Sequence, residues 1–308
     1  MIKHLLSDFD LNRNELIGIL NLAEEIKRNP TKYSQALAGK TLAMYFEKTS
    51  TRTRVSFESA MTQLGGQAIY LEARTTQAAK GEPLSDIAKT LSRYCDAIMA
   101  RMYKQSDLEI MAQVASVPVI NGLTDMFHPC QILGDILTVK EKLGNLKGTI
   151  AFFGDCDFNI AHSILVTFSK MGMNVNLVCP NIKTYLPNEE IIKKAREEAI
   201  GKINIIHDPK TGARGVDVIY TDTWVSMGQE AEAEQRIKDL KPYQVNSELV
   251  KLAKKGVLIM HCLPAYRGYE ITAEVLDGPN SVIWDQAENR LHIQKAILLT
   301  FSKNKWQR

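Results

Sequence analysis

Residues Thr49 to Ser56 read TSTRTRVS, two arginines set among serine and threonine hydroxyls, and only Glu47 and Lys48 separate them from the apolar run TLAMYF. An apolar spacing suited to a helix follows at Phe57, Ala60, Met61 and Leu64. Hydroxyls, a guanidinium fork and the free N–H groups of a helix start are the donors that hold a phosphate or similar anion. Ser50 or Thr51 also suits the plain role of helix cap. Capping accounts for one hydroxyl and for neither arginine, and basic side chains in a first turn oppose the helix dipole. A bound anion reverses that penalty, so Ser50, Thr51, Arg52 and Thr53 read as an anion cradle. Arg54 is the weaker of the two arginines, with pairing to an acid as its alternative.

Other polar junctions recur along the chain. In MFHPCQILGD, Pro129 suits the first position of a helix, which puts His128 at its N-terminal edge and Gln131 in its first turn. An incidental histidine beside a cap is the competing reading. In LIMHCLPAYRG an apolar strand ends at His261 and Cys262, and Pro264 closes it. Cys262 then lies beyond a strand's carboxyl end, where open α/β sheets bind ligands; a buried structural cysteine fits the same position. In VIYTDTWVSMGQE, Asp222 also follows a strand end, and the segment after it suits either a mobile flap or an ordinary surface loop. DQAENRLHIQKA puts Arg290 just after the run SVIWD and near a helix start, where a solvated arginine is the plain alternative.

Strand-like runs must position these residues: TLAMYF, QAIYLE, AIMARM, PVINGL, TIAFFGD, NVNLVCP, INIIHD, DVIYTD, GVLIMHC and SVIWD. Helical spacing separates them, as at Leu108, Met111, Ala112 and Ala115 and in NEEIIKKAREEAI. This alternation predicts an α/β fold of two domains, each a mainly parallel sheet flanked by helices. Gly144 suits a helix C-cap and a fresh strand starts at Thr149, so the domains are expected at 1–145 and 146–288. A final helix over about 289–308 is expected to return to the first domain.

The chain has 308 residues, enough for two ordinary domains. Hydrophobic residues at 45%, charged residues at 24% and a net charge of +3 without blocks of one sign exclude general nucleic-acid or membrane affinity as an expectation. No run reaches the roughly 20 apolar residues of a membrane span, and the charge-interrupted N-terminus does not read as a signal peptide. Five cysteines without a CxxC pair argue for a reducing, cytoplasmic setting and against a disulfide framework or zinc ribbon.

Taken in order, STRTR, ARMYKQSDLE, HPCQ, the GD…N turn, TDTWVSMGQE, HCLP and AENR resemble the aspartate/ornithine carbamoyltransferase family over nearly the whole chain. Within it, the DxWxSMG and HCLP pair points to ornithine. The resemblance implies transfer of the carbamoyl group of carbamoyl phosphate to the δ-amine of L-ornithine, giving citrulline and phosphate, with no metal or organic cofactor. It implies that Ser50, Thr51, Arg52 and Thr53 bind the phosphate; that Arg101, His128 and Gln131 hold the carbamoyl carbonyl and amide; and that Arg290 is a further contact to carbamoyl phosphate. Arg101, His128 and Cys262 are the implied catalytic residues. Asn159, Asp222, Ser226 and Met227 match positions that hold the α-amino and α-carboxylate end of ornithine, and Cys262 and Leu263 match positions where both substrates meet. Gln77, in RTTQAAKGE, matches a loop that reaches a neighbouring subunit's site, which implies a homotrimer or an assembly of trimers.

One turn departs from the family pattern. GDCDFNIAHS stands where GDGNN is usual, which leaves room for a sister activity on putrescine or an acylated ornithine. A nucleotide-binding protein is the rival of another class, but TIAFFGDCDFNIAH lacks the glycine series of a dinucleotide fingerprint. A catalytically silent partner-binding protein is a third, against which the intact Arg52, His128 and Cys262 speak.

Overall fold

The structure, a computed structural model, describes residues 4–225 and 230–302. Two sheets organise it. In the first, β1 (Thr41–Phe46), β2 (Gln67–Glu72), β3 (Ala97–Arg101) and β4 (Val119–Leu123) lie in the order β2-β1-β3-β4. In the second, β5 (Thr149–Phe153), β6 (Asn174–Val178), β7 (Ile203–Ile206), β8 (Val218–Thr221) and β9 (Leu258–His261) lie in the order β7-β6-β5-β8-β9. Every pairing is parallel. The inner strands β1, β3, β5 and β8 are buried and read as continuous apolar runs, which made them visible in the sequence, whereas the edge strands β2 and β7 are only partly buried. The chain winds outward in one direction, then returns to build the other half, switching beside β1 in the first sheet and beside β5 in the second. Ligands of open parallel sheets bind at the carboxyl ends of strands at such switch points.

The helices are α1 (Arg13–Arg28), α2 (Thr51–Gln63), α3 (Leu84–Tyr94), α4 (Gln105–Val114), α5 (Pro129–Leu143), α6 (Asn159–Met171), α7 (Glu189–Glu198), α8 (Pro209–Ala213), α9 (Ala233–Leu240), α10 (Ser247–Val250), α11 (Ala273–Leu276) and α12 (Ile283–Ser302). The chain divides into two compact units, Met1–Leu137 with Glu288–Arg308 and Thr138–Ala287, so most of α12 belongs to the first. Ala43, Ile98, Ala100, Met111 and Val119 lie in the first unit's core; Ala151, Phe153, Val178, Ile219 and Ile259 lie in the second's. No described helix is long and apolar enough to cross a membrane.

One expected strand is absent. SVIWD makes only a bridge from Ser281 to Ile259, and the helix starts two residues later at Ile283. The apolar stretch is too short for periodicity to separate strand from helix, and Asp285 in the first turn suits a helix start. Arg290 therefore stands two turns inside α12, buried, rather than at its edge.

The α2 start follows local chemistry. Ser50 takes an extended backbone and its hydroxyl accepts from the Thr53 N–H at 3.2 Å. Replacing Ser50 by alanine removes this acceptor and is expected to cost about 1 kcal/mol of stability, read as a lower denaturation midpoint without ligand.

Candidate active site

The first unit gathers its cluster at the carboxyl ends of β1 and β3. Thr53 is fully buried, and its hydroxyl accepts from Arg290 at 2.8 Å and from Arg101 at 3.4 Å. Arg101, the last residue of β3, also donates to the Gly122 carbonyl at 3.4 Å. Gly134 lets α5 approach α12 here: a Cβ on it would lie 3.3 Å from the Arg290 amide. His128 directly precedes Pro129, the first residue of α5, and is 4% exposed. Gln131 is buried in the first turn and donates to Asp135 at 2.8 Å. The α2 first turn holds no acid, and Arg52 beside Thr53 is half-buried with no ion pair among the described residues. Arg54 points elsewhere, to Glu58 at 3.0 Å and over the Tyr70 ring at 3.9 Å, as its weaker standing in the sequence suggested. Gln77 stands apart as an exposed residue opening the turn Gln77–Lys80.

Several buried cationic and neutral donors in one place have an electrostatic consequence. Burial, then the charges of Arg290 and Arg101, hold the His128 pKa well below its ordinary 6.5. His128 is therefore held neutral at physiological pH, a form in which one ring nitrogen is a donor and the other an acceptor. The unfolded chain takes up a proton near pH 6.5 that the folded site refuses, so stability falls as pH drops below that value. His128→Gln is expected to flatten part of the loss between pH 7.5 and 5, seen in denaturation midpoints across pH.

The second unit gathers its cluster at the ends of β5, β8 and β9. Asp222 follows β8 and accepts from the Cys262 thiol at 3.0 Å and from the Thr223 N–H at 2.7 Å. Burial pushes its carboxyl up from the usual range, and the neighbouring His261, then the hydrogen bonds from Cys262 and Thr223, pull it part of the way back. His261, the last residue of β9, accepts from the Leu263 N–H on Nδ1 at 2.9 Å. A ring nitrogen that accepts carries no proton, so the proton sits on Nε2, which faces Glu270 at 3.1 Å. Leu263 reaches this position with a left-handed φ of 60°, a strain met at functional sites. Asn159 is buried as the first residue of α6. Ser226 and Met227 lie outside the described residues.

Residues not singled out in the sequence complete this cluster. Glu270 is fully buried and its carboxylate also accepts from the Tyr266 N–H. Arg236 on α9 is 4% exposed, pairs with Asp155 after β5, and donates to the Trp224 carbonyl at 2.7 Å. It ties the turn before α6 to the stretch after Asp222. A charged residue within helical spacing reads as a solvated face, so only three-dimensional proximity reveals either partner. Among the described residues, Asp222, His261 and Cys262 are a group able to hold a metal ion, with ligand atoms within 4.8 Å of one another. Both nitrogens of His261 are already engaged, so a metal would have to displace Glu270 or the Leu263 N–H.

Residues 3–141 match the model of the aspartate/ornithine carbamoyltransferase carbamoyl-P binding domain, and residues 147–301 match that of the family's Asp/Orn binding domain. An ornithine carbamoyltransferase of Methanothermobacter thermautotrophicus is 51% identical over 300 residues, covering 96% of this chain and 98% of that protein. The solved ornithine carbamoyltransferase of Pyrococcus furiosus superposes with a TM-score of 0.91 at 50% identity, over 96% of each chain. The anabolic ornithine carbamoyltransferase of Campylobacter jejuni gives a TM-score of 0.92 at 37% identity, over 98% of this chain and all of that one. With both family domains matched in order and solved relatives superposing over nearly the full length, the chain belongs to the aspartate/ornithine carbamoyltransferase family.

Proposed function

We propose that this protein transfers the carbamoyl group of carbamoyl phosphate to the δ-amine of L-ornithine, forming L-citrulline and phosphate in arginine biosynthesis. The observation that carries the reading is the buried group of Thr53, Arg101, His128 and Arg290 beside the acid-free, cationic start of α2. Such a site suits a phosphorylated, carbonyl-bearing substrate. The α2 N–H groups, Ser50, Thr51, Arg52 and Thr53 hold the phosphate and stabilise its growing charge as it leaves. Arg101 and neutral His128 donate to the carbamoyl oxygen, which becomes negative in the tetrahedral transition state. Gln131 takes the amide and Arg290 braces both Thr53 and the substrate.

The amine must attack uncharged. A lysine-like amine with a pKa of about 10.4 is neutral in only roughly one molecule in ~2,500 at pH 7. Asp222, with Asn159, Ser226 and Met227, holds the α-amino and α-carboxylate end, so the charged end is fixed while the neutral δ-amine is selected. Cys262 and Leu263 line the meeting point; the Cys262 thiol sets the Asp222 carboxylate, and Glu270 sets the His261 tautomer that holds the Leu263 backbone. Holding amine and carbonyl carbon about 3–3.5 Å apart supplies much of the remaining acceleration.

In this reading residues 1–145, with the returning helix, bind carbamoyl phosphate, and residues 146–288 bind ornithine. The protein works in the cytoplasm as a homotrimer or an assembly of trimers, with Gln77 reaching a neighbouring subunit's carbamoyl phosphate. Mixing carbamoyl phosphate and L-ornithine with the protein should give citrulline and phosphate in equal amounts, at a rate that rises with pH from 6.5 to 8.5. Phosphate release without citrulline would sink the proposal.

A further inference from the structure

A carbamoyl group carries a carbonyl oxygen that accepts hydrogen bonds and an NH2 that only donates them. The buried cluster of the first unit is rich in donors and poor in acceptors. Arg101 and Arg290 cannot accept at all. The Thr53 hydroxyl already accepts from both, at 3.4 and 2.8 Å. An NH2 held among these groups needs an acceptor from elsewhere.

Gln131 has one to offer. It lies in the first turn of α5, three residues after His128, and its Nε2 donates to Asp135 at 2.8 Å. An ionised carboxylate only accepts, so the Gln131 NH2 must face Asp135 and its carbonyl oxygen, Oε1, must face the other way. Among the described residues no donor is bonded to that oxygen. Asp135 follows Gln131 by four residues, which places the two on one face of the helix. On an exposed helix such a pair would only support the helix. Here Gln131 is 1% exposed and Asp135 is fully buried, and burying a carboxylate costs more than helix support returns. Asp135 has further interactions besides this one, so its loss is expected to touch stability as well.

We propose that Asp135 is a positioning residue: it fixes the Gln131 side-chain amide with Oε1 turned to accept from the carbamoyl NH2, and so makes the site select a carbamoyl phosphate over an acyl phosphate. The inference rests on the carbamoyl-transfer reading above and names what recognises the NH2 within it. Acetyl phosphate is the matched probe, with the same carbonyl and phosphate and a methyl in place of the NH2. A site built to bond a substrate N–H rejects the analogue that lacks it, and a buried acceptor left unpaired weakens binding about 5- to 150-fold.

The test uses the full-length protein and reads the competitive Ki of acetyl phosphate divided by the KM of carbamoyl phosphate, with a thermal midpoint for each variant. In wild type this ratio should exceed about fivefold. Asp135→Leu removes the acceptor and frees the Gln131 amide to turn, so the ratio should fall by at least about fivefold. Asp135→Asn keeps an oxygen that accepts from Gln131 Nε2, so its ratio should stay within about fivefold of wild type. A purely structural Asp135 would lower the midpoint of Asp135→Leu and leave the ratio where it was. If Asp135→Leu does not fold, Asp135→Ala is read by the same criterion. A smaller fall in the folded apolar variant, or a larger one in Asp135→Asn, overturns the role of Asp135. Wild type is measured first: absence of any citrulline overturns the carbamoyl-transfer reading, whereas normal citrulline formation with a ratio below about fivefold overturns only this inference.

Discussion

Arg101→Ala is expected to lower kcat about 100- to 1,000-fold, the effect of removing one preorganised donor from a developing oxyanion. The side chain is 8% exposed at the end of β3, fixed by Thr53 and the Gly122 carbonyl. Its donors are therefore already placed before substrate binds, and no reorganisation offsets its loss. Arg101→Lys keeps the charge but lacks the fork that reaches two oxygens at once, so it should recover little of the rate. Steady-state kinetics with a denaturation midpoint for each variant separates this from unfolding. A loss of less than tenfold in a folded Arg101→Ala would remove Arg101 from the reacting group.

Asp222→Asn is expected to raise the amine KM on the order of 100-fold, while the Kd for carbamoyl phosphate stays within about twofold. Removing one partner of a desolvated charge pair typically costs ~2–5 kcal/mol of binding. The same substitution should leave thermal stability equal or higher. Burial pushes the Asp222 carboxyl upward, so its charge is held at a cost to the unliganded fold that a bound ammonium offsets; removing a functional charge of this kind commonly stabilises. The Thr223 N–H and the Cys262 thiol still find an acceptor in the asparagine carbonyl. Unchanged amine KM in this variant would show that the ammonium binds elsewhere.

Much of the fold was legible because a strand buried on both faces must be apolar throughout. TLAMYF became β1, buried at all but its first residue, whereas QAIYLE became β2 over the same residues as a partly buried edge strand, signalled by the strand-favouring Ile69 and Tyr70. SVIWD was misread because a short apolar run carries no periodicity, and the misreading displaced Arg290 from inside a helix to its start. In the site, residue chemistry alone reached as far as polar junctions at strand ends. It could mark Ser50 as a cap and Arg54 as the arginine open to an acid, and both follow from contacts within four residues. The convergence of Arg101 and Arg290 on Thr53 spans 48 and 237 residues, and the Arg236–Asp155 pair spans 81. No local rule encodes such distances, so the roles given to these residues came from family resemblance or emerged only in three dimensions.

The most direct measurement is a substrate panel. Carbamoyl phosphate is supplied with L-ornithine, putrescine, L-aspartate or N-acetyl-L-ornithine, and kcat/KM is read from the carbamoylated product of each. A preference for L-ornithine of at least 100-fold over each of the others is the predicted result. Turnover of putrescine or N-acetyl-L-ornithine with little citrulline from ornithine would contradict it, and would mean that the GDCDFN turn directs the amine site to another substrate.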